Sequence, residues 1–145
     1  MNEQKKVPVF YACDDNFVKY TMVSLHSMME NASKDRQYEI HILHTDISER
    51  MQKLLKEMSN ENFTVQFDNV TDYLKSIRNK LPLRDYYSKT TYFRLFIAEM
   101  FPEYEKAIYI DSDTIVLGDV AELYDYELGD SYVGACNEQV MIQED

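Results

Sequence analysis

The sequence has no tryptophan, and only three glycines, three prolines and two cysteines in 145 residues. So little Gly and Pro excludes collagen-like, mucin-like and linker compositions. Two thiols, Cys13 and Cys136, are no disulfide framework, and a non-secreted chain of this length can build a core without one; both are expected to be reduced. Long apolar runs are missing as well. The stretch Val7 to Cys13 follows Lys5 and Lys6, but it contains Pro8 and stops at Asp14, too short for a signal peptide or a membrane span. The expectation is a soluble, cytoplasmic protein with no membrane contact through this portion. A basic surplus is also absent. The net charge is −11, which argues against a nucleic-acid binder and its basic face.

What is present suits a folded core: twelve Tyr, seven Phe and 45% hydrophobic residues exclude general disorder. No linker, low-complexity segment or internal repeat divides the chain, so residues 1–145 read as one unit. The charge is lopsided. Residues 99–145 carry one basic side chain, Lys106, against 13 acidic ones. Such a cluster is a solvated face, a cation site or the complement of a basic segment. An anionic ligand would need a cation between itself and that surface.

Val7 to Ala12 is a continuous apolar run that ends in Asp14-Asp15-Asn16, the pattern of a buried strand stopping at a polar loop. Val18, Met22, Leu25 and Met29 then recur with helical spacing, and Asp15 or Asn16 could cap that helix. Tyr38 to Leu43 predicts a second strand, Ser48 to Met58 a capped second helix, and Phe63 to Phe67 a third strand. Thr90 to Met100 predicts one helix stopped by Pro102, Ala107 to Ile110 a buried strand, and Tyr132 to Cys136 a last strand. The order β-α-β-α-β points to an α/β fold with a mainly parallel sheet and helices on both faces.

The strongest local signal is Ile108-Tyr109-Ile110-Asp111-Ser112-Asp113. An apolar strand delivers two carboxylates, two positions apart, to the sheet edge where open α/β folds bind ligands. Neighbouring carboxylates repel, and a hard divalent cation, Mg²⁺ or Mn²⁺, relieves the repulsion. The other reading is a strand-end turn capped by Asp111. Asp14-Asp15-Asn16 ends the first strand in the same way, which would bring both acidic loops into one crevice. Gly118, Gly129 and Gly134 fit neither a dinucleotide fingerprint nor a P-loop, and Ile115 and Val116 break the calcium-loop pattern. His41 and His44 fall on opposite faces of a strand and cannot chelate together; with His26 they read as structural. Two carboxylates beside Cys13 make it a poor nucleophile. Ser88, Thr90, Thr91 and Arg94 could meet sugar hydroxyls or phosphate, with Arg94 as the fork-shaped anion partner; alternatively Arg94 pairs with a nearby acid.

Together these stretches resemble the retaining glycosyltransferases of family 8, which have the GT-A fold. The matching segments are Tyr11-Ala12-Cys13-Asp14-Asp15-Asn16-Phe17, His41-Ile42-Leu43 before Asp46-Ile47-Ser48, Thr90-Thr91-Tyr92-Phe93-Arg94-Leu95, Ile108 to Asp113, and Asp119-Val120 to Leu123-Tyr124. The resemblance implies a GT-A type, Rossmann-like fold and metal-dependent transfer of a hexose from a UDP-sugar. UDP-glucose or UDP-galactose would be the donor, and a glycan or lipopolysaccharide-type carbohydrate the acceptor, with retention at the anomeric carbon. It implies that Ala12, Asp14 and Asn16 contact uridine, that Phe17 lies beside the uracil, and that the Ser112 backbone faces the ribose. Asp111 and Asp113 would hold Mn²⁺ or Mg²⁺, and Arg94 would act at the donor sugar and phosphates. The family's later histidine ligand and sugar-binding polar residue have no counterpart up to Asp145, and Glu138 stands where the family often has an aspartate. The expectation is therefore the nucleotide-sugar-binding portion of a single glycosyltransferase domain, truncated at its C-terminal side. The competing classes are a haloacid-dehalogenase-like phosphohydrolase, which also carries Asp-x-Asp after a strand, and a non-catalytic nucleotide-sugar-binding fragment.

Overall fold

A computed structural model describes residues 6–77 and 89–136. Its elements are β1 (Lys6–Ala12), α1 (Val18–Asn31), β2 (Gln37–His44), α2 (Glu49–Lys56), β3 (Phe63–Asn69), α3 (Thr71–Ile77), α4 (Lys89–Phe93), α5 (Ile97–Met100), β4 (Ile108–Tyr109) and α6 (Val120–Asp125). The four strands form one sheet in the order β3-β2-β1-β4, every pair parallel. Strand residues alternate between two apolar cores, as the period of two requires. Val7, Val9 and Tyr11 join Val18, Leu25 and Met28 of α1, Leu55 of α2 and Val120 of α6 on one face. Phe10 and Ala12 join Val70, Phe93 and flanking Leu74, Ile97 and Met100 on the other. Both faces are thus covered by helices, and the continuous apolar run of β1 is the strand buried on two sides. Each fully buried Leu or Met, such as Leu25 and Met28, contributes about 2 kcal/mol by leaving water.

The chain runs from β1 outward to β3 and returns through α3, α4 and α5 to place β4 on the opposite side of β1. The order of strands therefore reverses between β1 and β4, and the crevice outside their C-terminal ends is the place where open α/β sheets take ligands.

Four expectations change. The helix over 90–100 is broken: Arg94–Phe96 is a 3₁₀ turn between α4 and α5. Thr90, Thr91, Tyr92, Phe93 and Phe96 are β-branched or aromatic and lose rotamer freedom in an α-helix, and the Arg94 Nε donates to the Thr91 carbonyl at 3.2 Å, tightening the turn. Tyr132 to Cys136 is no strand. Its residues are exposed, Tyr132 completely, and pair with no strand among the described residues; apolar composition without a neighbour makes no ladder. Asp15 and Asn16 do not cap α1, because the Asp14 carboxylate takes the backbone N–H groups of Asn16 and Phe17 at 2.9 and 3.1 Å. Ser48 occupies the N-cap position of α2 without a side-chain bond; its N–H instead donates to Asp15 Oδ1 at 2.8 Å. Ser88 and Glu138 lie outside the described residues. No helix among the described residues is long and apolar enough to cross a membrane.

His41 and His44 are buried in the fold, and His41 is deeply used. It lies in register with Phe10 and Gln66 on the neighbouring strands, and its ring stacks on Phe10 at 4.4 Å. Nδ1 donates to Asp68 at 2.9 Å, and Nε2 is 2.8 Å from the Tyr104 hydroxyl, which donates to Glu39 at 3.0 Å. This network ties the segment leading into β4 onto β2 and β3. His41→Ala removes the ring beneath Phe10 and leaves Asp68 and Tyr104 without it. Urea unfolding should show a loss of about 3 kcal/mol; a loss below about 1 kcal/mol would mean the network holds nothing together.

Candidate active site

The crevice is built from the ends of β1 and β4. The ladder between them covers only Val9 with Ile108 and Phe10 with Tyr109, and two further bonds extend it. The Ile110 N–H donates to the Phe10 carbonyl at 3.0 Å, and the buried Ser112 hydroxyl donates to the Ala12 carbonyl at 3.2 Å. These bonds bring the loop Asp14-Asp15-Asn16-Phe17 and the turn Asp111-Ser112-Asp113 to one edge.

In the first loop, Asp14 closes its own turn: its carboxylate takes two N–H groups, and its carbonyl accepts from Phe17 and Val18 at 3.0 and 3.1 Å. Asp15, Asn16 and Phe17 are exposed, and the Phe17 ring lies tilted against Tyr20 at 5.6 Å. Asp15 reaches across to α2 through Ser48. In the second loop, Asp111 Oδ1 receives Arg94 Nη2 at 3.0 Å. The Arg94 guanidinium lies over the Tyr109 ring, 4.6 Å from its centroid. Tyr109 is pushed up to about 12, first by burial, with Arg94 opposing and Asp111 reinforcing the rise, so its phenol keeps its proton at neutral pH. Asp113 is exposed and makes no hydrogen bond or ion pair among the described residues.

The structure therefore places Ala12, Asp14, Asn16, Phe17, Asp111, Ser112 and Asp113 along one edge, and brings Arg94 to it from the 3₁₀ turn. Both readings of Arg94 meet here: it is paired with an acid, and that acid belongs to the crevice. Tyr109 was not singled out from the sequence. Its position at the end of β4, two residues before Asp111, is the signal that could have found it.

Asp111 and Asp113 present hard carboxylate oxygens on one turn, and Asp113 is unengaged among the described residues. Among those residues no cluster of three His, Cys, Asp or Glu side chains could hold a metal. The donor set fits a divalent cation that shares its shell with phosphate oxygens and water, as Mg²⁺ does in nucleotide sites.

The solved structures that this parallel sheet resembles have the GT-A type of glycosyltransferase fold, and the chain shares it. The family model for glycosyl transferase family 8 matches residues 8–145, and the chain belongs to that family. It is 27% identical over 131 residues to a putative glycosyltransferase of Haemophilus influenzae, covering 90% of this chain and 38% of that protein. With the glycosyltransferase GlyE of Streptococcus pneumoniae it shares 27% identity over 139 residues, 93% of this chain and 32% of the relative. The chain thus spans well under half the length of these curated relatives. Among solved structures, the galactosyltransferase LgtC in complex with donor and acceptor sugar analogues superposes with a TM-score of 0.76 at 26% identity, over 96% of this chain and 49% of that one. The bifunctional glycosyltransferase WbbM gives a TM-score of 0.74 at 30% identity, over 89% and 22%. These matches do not favour the phosphohydrolase alternative.

Cys13 lies between β1 and the first loop. Burial pushes its thiol up to about 11, a hydrogen bond with Thr21 works against that, and Asp14 and Asp15 add to the rise. The carboxylates were expected to do this, but burial is the larger cause. Both cysteines are free, Cys13 buried and Cys136 exposed. Iodoacetamide at pH 8 should therefore alkylate Cys136 and spare Cys13 until the protein is unfolded, read by mass spectrometry of the peptides. Equal rates would mean that the end of β1 opens readily.

Proposed function

We propose that this chain is the nucleotide-sugar-binding portion of a single glycosyltransferase domain, which transfers a hexose from a UDP-sugar such as UDP-glucose or UDP-galactose to a glycan or lipopolysaccharide-type acceptor with retention of configuration. The observation that carries the reading is the seam between β1 and β4, which joins the two acidic loops at the switch point of the sheet. Support for the donor class comes from the family and from LgtC, which has been captured with donor and acceptor sugar analogues.

In this reading Phe17 offers an exposed ring to the uracil, and Asp14 and Asn16 offer polar atoms to the nucleoside. Ala12 and Ser112 bring backbone close to the ribose, Ser112 already bonded to Ala12. Asp111 and Asp113 would hold Mn²⁺ or Mg²⁺, which when bound neutralises charge on the departing diphosphate. Arg94 supplies a second, fixed positive charge: Tyr109 beneath it and Thr91 at its Nε orient the fork toward the crevice. A chain of net charge −11 otherwise repels a diphosphate. Two free cysteines suit a cytoplasmic setting, where thiols stay reduced and we place the reaction.

Thermal unfolding with UDP tests the reading. At 100 times its dissociation constant, UDP with Mn²⁺ should stabilise the protein by about 2.7 kcal/mol. Asp111→Asn and Asp113→Asn should fold normally and lose the metal-dependent part of that gain. Equal stabilisation by UDP in EDTA removes the metal from the reading, and no stabilisation by UDP under any condition removes the donor.

A further inference from the structure

One chain of hydroxyl groups, buried at Tyr11 and Ser24 and half-buried at Thr114, takes no part in the site as described. Thr114 Oγ1 lies 2.8 Å from the Asp111 carbonyl, Ser24 Oγ lies 3.0 Å from Thr114 Oγ1, and Tyr11 Oη lies 2.9 Å from Ser24 Oγ. Each hydroxyl has one proton to give, and the direction is settled from one end. A carbonyl only accepts, so Thr114 donates to Asp111. With that proton spent, Ser24 must donate to Thr114. With Ser24's proton spent in turn, Tyr11 must donate to Ser24. Tyr11 and Ser24 are completely buried, so water cannot take over the link between them, while Thr114 is half-buried. Burial also pushes Tyr11 up to about 12, which keeps it a donor at every ordinary pH.

We propose that Tyr11, Ser24 and Thr114 are positioning residues for the Asp111-Ser112-Asp113 turn: a one-way hydroxyl relay from β1 through α1 fixes the Asp111 carbonyl and so the peptide that joins Asp111 to Ser112. A second clamp from α1 holds the chain just after that turn. The Val116 N–H donates to Ser27 Oγ at 2.8 Å, Ser27 donates onward to the Ser24 carbonyl at 2.7 Å, and Asn31 donates to the Val116 carbonyl at 3.0 Å. With Ser112 bonded to Ala12, the turn is held at its first carbonyl and at its middle side chain. Neither of its carboxylates does the holding: Asp113 is unengaged among the described residues, and Asp111 is paired only with the half-exposed Arg94.

The relay's bearing on ligand rests on the donor reading above, and its bearing on the turn does not. Thr114→Val keeps the shape of Thr114 and removes its proton; Thr114→Ser keeps the proton. In ¹⁵N–¹H spectra of the ligand-free protein, Thr114→Val and Tyr11→Phe should shift the amide signals of Ser112 and Asp113, while Thr114→Ser leaves them in place. By calorimetry, Thr114→Val should weaken Mn²⁺-dependent UDP binding about tenfold, the size of one lost hydrogen bond. Thr114→Ser should restore it, and UDP affinity in EDTA should be unchanged in both. A merely structural residue would lower stability without this split between metal and no metal. Unmoved amide signals in both Thr114→Val and Tyr11→Phe overturn the relay. So do moved signals with undiminished metal-dependent binding. A wild-type protein that binds no UDP sinks the donor reading instead, and the amide signals still decide the relay.

Discussion

The pairing of β1 with β4 is the interaction on which the site depends, and it is brief. Two residues of β4 face two of β1, whereas β1 and β2 pair over seven positions from Lys6–Gln37 to Ala12–Leu43. A two-residue ladder is a weak anchor for a turn that carries two like charges. The structure answers with bonds from outside the ladder. Ile110 donates back to Phe10, Ser112 to Ala12, and the stretch before β4 is tied down through Tyr104 to His41 and Glu39. The last of these lies in the opposite core from α1, so β4 is fixed from both faces of the sheet.

The acid-rich last third of the chain looks like a single feature in the sequence and is several in the fold. Asp119 takes the Ala121 N–H at the start of α6 and also receives the Tyr38 hydroxyl at 2.7 Å. Asp125 pairs with Arg36 at 2.7 Å, and Asp111 with Arg94. These three have structural partners drawn from residues before 99, where the basic side chains are. What remains at the crevice is Asp113 on its exposed turn. The partnered carboxylates thus fix α6 and hold Arg94 at the site, Asp113 is left at the ligand edge, and Glu99, Glu103, Glu105, Glu122, Glu127 and Asp130 are exposed elsewhere on the surface.

This split explains what was legible. The succession of strands and helices and the burial of β1 follow from apolar runs and periodicity, because backbone pairing and core burial act on every residue of a segment. The two acidic loops could be placed at one edge because each directly follows an apolar strand. The breaks came where one local bond outweighed the pattern. Arg94 tightens its turn through Thr91, and Asp14 displaces Asp15 and Asn16 as the closing residue of the first loop. Tyr132 to Cys136 has strand composition with no strand beside it among the described residues. The hydroxyl relay was not legible at all, since Tyr11, Ser24 and Thr114 are far apart in sequence and none carries a motif.

The two acidic loops are held by opposite means, and this bears on how the site can respond. The first loop closes on itself: Asp14 spends a carboxylate oxygen on its own turn, so its geometry is local and its side chain is partly committed. The second is held from beneath by hydroxyls and a carbonyl, and its carboxylates are not needed for its shape. A ligand that took Asp111 away from Arg94 would cost one half-exposed ion pair, worth about 1 kcal/mol or less. The turn itself would stay, because the bonds that fix it do not run through that pair. The loop that must change partners is thus the one whose backbone is secured independently, and the loop with a committed carboxylate is the one that need only present a ring and polar atoms.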